Sequence, residues 1–116
     1  MRATEIRLKR AEKRLDVAFD DGSKFSLPAE LLRVESPSAE VQGHSPEQRQ
    51  LVAGAKEVGI LRLEPVGNYA IRIVFDDGHD TGLFTWTYLH ELGMEQPVRW
   101  KRYLDAMAKA GLSREA

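Results

Sequence analysis

Residues 17–22 read Val-Ala-Phe-Asp-Asp-Gly, and residues 73–78 read Ile-Val-Phe-Asp-Asp-Gly. In each copy the alternating apolar residues predict a half-buried strand, and the Asp-Gly pair predicts a tight turn into a return strand. Each copy then continues through that strand into a short helix. The similarity suggests two ββα-like units within one domain, although Phe-Asp-Asp-Gly is also simply a good hairpin sequence.

The first unit extends on both sides of its turn. Ile6 and Leu8 alternate with charged residues, which predicts a half-buried first strand. Phe25 and Leu27 continue the alternation after the turn, and Pro28 is suited to the first turn of a short helix.

Residues 34–50 have a different composition, with prolines, serines, a glycine and charged residues among few large apolar side chains. This composition predicts a surface loop, with one helical turn beginning at Ser45-Pro46-Glu47.

The second unit contains three predicted strands, at 58–63, 69–75 and 81–84, separated by turn signals at Gly67 and Gly78. Large apolar residues alternate with the others within 69–75, which predicts one buried face and one exposed face.

Two helices are predicted near the C-terminal end. Trp86, Leu89 and Leu92 are spaced by three, and Gly93 is placed to end that helix. A second helix is predicted to start at Pro97 and to dock an apolar stripe on the sheet, or to offer that stripe to a partner. The stripe consists of Trp100, Tyr103, Leu104, Met107 and Ala108, and Gly111 follows it.

These elements predict an α+β domain with a small antiparallel or mixed sheet of about six strands, short helices and a C-terminal amphipathic helix. We expect residues 1–93 to form the domain and residues 94–116 to form a helix packed on it, with a short tail. The length of 116 residues fits one domain. A domain of that size buries roughly 65% of the surface of its unfolded chain.

Composition excludes several classes of protein. The chain has 17 Lys and Arg residues and 18 Asp and Glu residues, so it lacks the basic excess of a nucleic-acid-binding protein. The chain has no cysteine, which excludes disulfides and any zinc or iron–sulfur cluster held by its own thiolates. No apolar stretch approaches the about 20 residues that cross a bilayer, and no signal peptide is evident. We therefore expect a cytoplasmic domain with no cofactor and no membrane or nucleic-acid partner.

Motifs for catalysis are also missing. The sequence has neither a Gly-x-Ser-x-Gly elbow nor a Gly-x-x-x-x-Gly-Lys phosphate loop. The paired carboxylates Asp20-Asp21 and Asp76-Asp77 are adjacent in sequence, so in a strand they point to opposite faces and cannot share a proton. We predict no enzymatic activity and no catalytic residue.

Histidine is the residue type most suited to a binding site here. His79 lies between Asp77 and Asp80, whose carboxylates favour its protonated form or help it to hold a cation. In the alternative interpretation these residues form a solvated turn. His44 lies in the predicted loop without ligand spacing, and His90 is predicted to lie on the surface of a helix.

Residues 19–41 and 75–89 resemble the N-terminal-like domain of gamma-butyrobetaine hydroxylase, a family that includes small bacterial proteins of unknown function. The second segment is the more specific one and reads Phe-Asp-Asp-Gly-His-Asp-Thr-Gly-Leu-Phe-Thr-Trp-Thr-Tyr-Leu. The resemblance extends over residues 4–93 and leaves the final helix outside it.

In the hydroxylases, this domain precedes a 2-oxoglutarate-dependent catalytic domain and holds a zinc through a Cys-x-Cys-x-x-Cys run and a histidine. The resemblance matches His79 to that histidine, whereas Ser36, Ser38 and Val41 stand at the thiolate positions. Hydroxyls replace thiolates poorly, and valine offers no ligand atom. We therefore expect no structural zinc of that kind.

The resemblance implies an accessory role, because the fused enzyme domain carries the chemistry. Similar domains are also joined to Mrp-type iron–sulfur cluster carriers. We therefore predict a non-catalytic accessory or adaptor domain that binds a protein partner in iron–sulfur or 2-oxoglutarate-oxygenase metabolism. The candidate binding surface consists of His79, Asp80, Trp86, Tyr88 and His44.

Two alternatives remain open. One is a metal- or small-ligand-binding module in which His79 acts with Asp77 or Asp80, with help from His44. The other is a structural or oligomerisation domain whose terminal helix pairs between chains.

Overall fold

The computed structural model describes residues 1–42 and 51–115 and has an α+β architecture. The first three-stranded antiparallel sheet consists, in order, of β1 (Ala3–Lys9), β2 (Arg14–Phe19) and β3 (Lys24–Pro28), followed by helices α1 (Ala29–Val34) and α2 (Ala39–Gln42). The second consists of β4 (Ile60–Val66), β5 (Ala70–Phe75) and β6 (Leu83–Thr85), followed by helix α3 (Trp86–Ala110).

The α+β class and the six strands are confirmed for the described residues, but the strands form two sheets instead of one. Helices α1 and α2 lie between the two meanders in the chain. Each predicted ββα-like unit is thus a three-stranded meander followed by a helix. Among the described residues, no helix combines the length and the apolarity needed to cross a membrane.

One hydrophobic core joins the two sheets and α3. Leu15 of β2, Leu27 of β3, Ile73 of β5, Phe84 of β6 and Leu89 of α3 are all completely buried in it. Full burial of a large apolar side chain contributes about 1.5–3 kcal/mol. Because both units supply the same core, neither can bury its apolar face without the other.

The two Asp-Asp-Gly turns have the same backbone. Their glycines have φ values of 88° and 92°, a left-handed conformation that glycine adopts without strain. The Phe19 N–H donates to the Ser23 carbonyl at 2.9 Å, and the Phe75 N–H donates to the His79 carbonyl at 3.0 Å. Ser23 and His79 therefore occupy equivalent positions in the two units.

Each of these turns is held by the helix of the other unit. Asp21 Oδ2 lies 2.9 Å from His90 Nε2 on α3, and Asp77 Oδ2 accepts from Arg33 Nε on α1 at 2.7 Å. Arg33 and His90 are each the fifth residue of their helix. Hydrogen bonds from Ser23 and, to a lesser extent, His90 lower the pKa of the Asp21 carboxyl to about 2. These reciprocal contacts tie the units together.

A glycine marks a close contact at the same place in each half. A Cβ atom on Gly93 of α3 would lie 2.3 Å from the Phe25 ring, and one on Gly82 would lie 2.2 Å from the Ser36 hydroxyl. Phe25 and Gly82 are equivalent, because each lies four residues before the helix of its unit begins. Ser36 and Gly93 are equivalent in the same way, because each lies seven residues after the first residue of that helix. The residue at the third strand is therefore a large phenylalanine in the first half and a glycine in the second, and the glycine of the first contact comes from the helix instead.

Helix α3 is uninterrupted, so the prediction of one helix ending at Gly93 and another starting at Pro97 is wrong. Gly93 allows the Phe25 ring to approach and does not end the helix. Pro97 removes one backbone hydrogen bond, and packing of the helix on both sides of it outweighs that loss. Gly111, with a φ of 68°, ends the helix as predicted. The predicted division after residue 93 falls inside α3, and it stays a prediction.

The apolar stripe predicted on the final helix is narrower than expected. Tyr103 and Met107 are buried, whereas Leu104 and Ala108 are exposed. The helix contacts β3 and β6 along one side only, so residues at the edge of the stripe remain in solvent.

The surface loop predicted at 34–50 is wrong for its described part. Ser36 and Val41 are buried, together with Val34, Glu35 and Ser38. The two serine hydroxyls bond to His79 and the Glu35 carboxylate pairs with Arg99, so the polarity of these residues did not indicate exposure. His44 and the helical turn predicted at 45–47 lie outside the described residues.

The exposed face predicted for 69–75 is also partly wrong. Ala70 and Val74 are buried along with Ile71, Ile73 and Phe75, whereas Tyr69 is exposed. Side chains on both faces of this strand are therefore covered, and Arg72, on the same face as Ala70 and Val74, is half-buried.

Replacing Gly93 with Val is expected to lower the free energy of unfolding by about 1–3 kcal/mol, because the new side chain overlaps the Phe25 ring. Urea denaturation followed by circular dichroism measures the change. Combining Gly93→Val with Phe25→Ala should cost less than the two single changes added together. Strictly additive losses would show that the two positions are not in contact.

Candidate functional site

The imidazole of His79 lies inside the protein, directly after the second Asp-Asp-Gly turn, and only 6% of the residue is exposed. Its Nε2 atom is 2.9 Å from Ser36 Oγ and 3.4 Å from Ser38 Oγ. Its backbone N–H donates to Asp77 Oδ1 at 3.1 Å. The cluster therefore joins the β5–β6 connection to the segment between α1 and α2.

Gly82 provides the space for this cluster. The Ser36 hydroxyl lies where a Cβ on Gly82 would stand, so a larger residue there would displace it. At the equivalent place in the first half, the Phe25 ring packs against Gly93. Glycine in one half thus leaves room for a hydroxyl beside His79, while phenylalanine in the other half fills the same space.

Helix α3 holds the other side of the α1–α2 segment. The Tyr88 hydroxyl donates to the Glu35 carbonyl at 2.6 Å. The buried Glu35 carboxylate lies 3.4 Å from Arg99 Nη1, and the Arg99 guanidinium lies 5.6 Å from the centre of the Tyr88 ring. Serine, glutamate and tyrosine here serve to fasten one part of the chain to another.

The residues of the predicted binding surface do not form one exposed patch. His79 is buried and thus is not part of the exposed surface, and His44 lies outside the described residues. Asp80, Trp86 and Tyr88 are half-buried. Tyr88 is committed to the contacts with α1–α2, so Asp80 and Trp86 are the better placed for binding.

Two exposed residues beside Trp86 were not singled out from the sequence. Tyr69 is 52% exposed and Leu83 is 43% exposed. The backbone N–H of Trp86 donates to the Tyr69 carbonyl at 3.1 Å. Thr85, just before Trp86, pairs with Ala70, just after Tyr69. We call Tyr69, Leu83 and Trp86 the aromatic edge. The alternation of residues 69–75 did not indicate the aromatic edge, because this pattern predicted Tyr69 to lie on the buried face.

The zinc that the resemblance implies does not fit these side chains. Ser36 and Ser38 are neutral hydroxyls that already face the Nε2 atom of His79, and Val41 has no ligand atom. Asp77 is occupied by Arg33 and by the His79 N–H. Within residues 1–42 and 51–115, no three His, Cys, Asp or Glu residues are grouped to hold a metal ion.

The fold and the site define a small α+β domain whose polar cluster fastens its own chain segments. The chain belongs to the family described as gamma-butyrobetaine hydroxylase-like, N-terminal, whose model matches residues 6–90. The family prediction is thus confirmed.

Solved structures of similar proteins have the same fold. One solution NMR structure is 47% identical, covers 98% of this chain and 90% of its own, and has a TM-score of 0.84. A second is 48% identical, covers 97% of this chain and 84% of its own, and has the same TM-score. A crystal structure of a protein of unknown function from Acidithiobacillus ferrooxidans is 38% identical, covers 79% of this chain and 92% of its own, and has a TM-score of 0.67. No curated protein matches the chain.

Replacing Ser36 with Ala is expected to lower the free energy of unfolding by about 1–3 kcal/mol, because the buried His79 Nε2 loses its nearer hydrogen-bond partner. Urea denaturation measures the change. Ser26→Ala is the control, since that hydroxyl donates to Asp16 on an exposed face and its loss should cost about 0.5 kcal/mol or less. Equal effects of the two changes would contradict a structural role for the cluster.

Protein purified without a histidine tag is expected to carry substoichiometric zinc and to melt at the same temperature with and without a chelator. Metal analysis and thermal denaturation measure the two properties. A variant carrying Ser36→Cys, Ser38→Cys and Val41→Cys supplies thiolates beside His79 and is expected to gain bound zinc. One tightly held zinc per unmodified chain would refute the prediction.

Proposed function

We propose that this chain is a cytoplasmic, non-catalytic accessory domain that binds a protein partner through the aromatic edge of Tyr69, Leu83 and Trp86. The main support is the burial of the one histidine–serine cluster in the described chain: Ser36 is 0% exposed and His79 is 6% exposed. A nucleophile or general base must reach its substrate. These side chains instead bond to each other.

The composition of the aromatic edge supports a contact role. Its aromatic and aliphatic residues come from neighbouring backbone positions at one end of the second sheet, whereas isolated exposed apolar residues are ordinary. The Trp86 indole N–H donates to the Asn68 carbonyl at 2.8 Å, which satisfies its polar group and orients the ring. Aromatic side chains held in this way are typical anchors of protein interfaces.

The family and the composition support the proposed class of partner. The family is named for the N-terminal region of a hydroxylase, and a crystallised relative is a protein of unknown function. Because this chain has no cysteine, the thiolates of any iron–sulfur cluster must come from the partner. Among the described residues, no three His, Asp or Glu side chains are grouped to hold a catalytic iron. We therefore place the partner in iron–sulfur or 2-oxoglutarate-oxygenase metabolism.

A metal- or small-ligand-binding role centred on His79 is the weaker hypothesis. The exposed fraction of His79 is small, and its Nε2 atom faces two hydroxyls. The zinc measurement described above tests this hypothesis separately.

Affinity capture from the native source, with mass spectrometry, tests the proposal. The unmodified chain is expected to recover one protein reproducibly, and the double variant Tyr69→Ala, Leu83→Ser is expected to lose it. Leu61→Ser is the matched control, because Leu61 is 50% exposed on β4, outside the aromatic edge. Recovery of no specific protein, or equal recovery by the double variant, would refute the proposed function.

A further inference from the structure

The side of α3 that faces away from the core carries a regular stripe of exposed residues. Their spacing alternates between four and three, which is the spacing of a coiled-coil seam. The stripe, which we call the α3 seam, consists of Met94, Val98, Lys101, Asp105 and Ala108. The first two are apolar yet 64% and 68% exposed.

The α3 seam is separate from the face by which the helix joins the core. Tyr103 and Met107 are buried on the core side, and each lies about 200° around the helix from the seam residue two positions away. Nothing in the described part of the chain packs over Met94 and Val98 strongly enough to bury them. The fold therefore leaves a second, narrow apolar stripe on α3.

From its N-terminal end the α3 seam is apolar, apolar, positive, negative and apolar. Its charged pair is complementary to itself when the order is reversed about the midpoint between Lys101 and Asp105. If two α3 helices lie antiparallel and cross at the level of residue 103, Lys101 of each copy faces Asp105 of the other. Val98 of each copy then faces Ala108 of the other. A two-fold interface requires this kind of self-complementarity.

The ends of the seam also match in this arrangement. Met94 of one copy then lies at the end of the other copy's α3. There Leu112, which follows the helix-ending Gly111, is 44% exposed. Lys101 Nζ and Asp105 Oδ2 are 3.2 Å apart within one chain, so two copies would bring together four charges of alternating sign. Such a cluster sets the register of a helix pair more than it adds affinity.

We propose that the α3 seam is the interface of a two-fold homodimer in which two α3 helices pair antiparallel. Residues 94–110 span about 24 Å of helix at 1.5 Å per residue. One helix pair buries less than the roughly 1,600 Å² of a standard protein interface, so the dimer is weak and depends on concentration. Trp86 begins α3, and the aromatic edge therefore stays outside this interface.

Sedimentation equilibrium tests the interface from about 10 μM to about 1 mM protein. The average mass of the unmodified chain is expected to rise from 13.1 kDa towards twice that value. Val98→Asp is expected to remain monomeric, because a carboxylate would enter the apolar part of the seam. Leu61→Asp, which changes an exposed leucine on β4, is the matched control and should associate like the unmodified chain.

A charge exchange tests the register. Lys101→Asp puts like charges opposite each other and is expected to raise the dissociation constant about fivefold or more, as is Asp105→Lys. The double variant Lys101→Asp, Asp105→Lys should recover the original value. Circular dichroism melting checks that each variant is folded. A monomeric mass at every concentration, dimerisation of Val98→Asp, or failure of the double variant to recover would each overturn the proposal.

Discussion

The two Asp-Asp-Gly turns are each fastened by a helix from the opposite half of the chain, through Asp21 with His90 and Asp77 with Arg33. A surface ion pair by itself stabilises a protein by about 1 kcal/mol or less. The importance of these pairs lies in their reciprocity, since each half orients a turn that it does not contain. Together with the shared core, they make the two meanders one folding unit.

The same reciprocity produces the polar cluster. In each half, a residue within or just after the helix packs against the third strand region of the other half. In one half Phe25 fills the space beside Gly93, and in the other Gly82 leaves that space to Ser36. His79 then finds its hydrogen-bond partner inside the protein. The cluster is a solution to a packing problem, and it takes the histidine away from solvent.

The surfaces that remain free are those that the reciprocal packing does not use. The aromatic edge lies at the start of α3, and the α3 seam runs along its outer side. A two-fold dimer through the seam would carry two aromatic edges. Two linked binding sites can raise the avidity for a partner that also presents two copies of its own site, without any new contact. The two proposals are therefore independent in their tests but compatible in their geometry.

Local patterns in the sequence were sufficient for the strands, the two tight turns and the α+β class, because strand alternation and the left-handed glycine are properties of a few neighbouring residues. The lack of thiols at positions 36, 38 and 41 was likewise evident from the sequence. Only the tertiary structure decided that α3 continues through Gly93 and Pro97, that Ser36 and His79 are buried together, and that Tyr69 is exposed. Each of these depends on contacts between residues far apart in the chain, and a local pattern carries no information about which distant side chain will fill a given space.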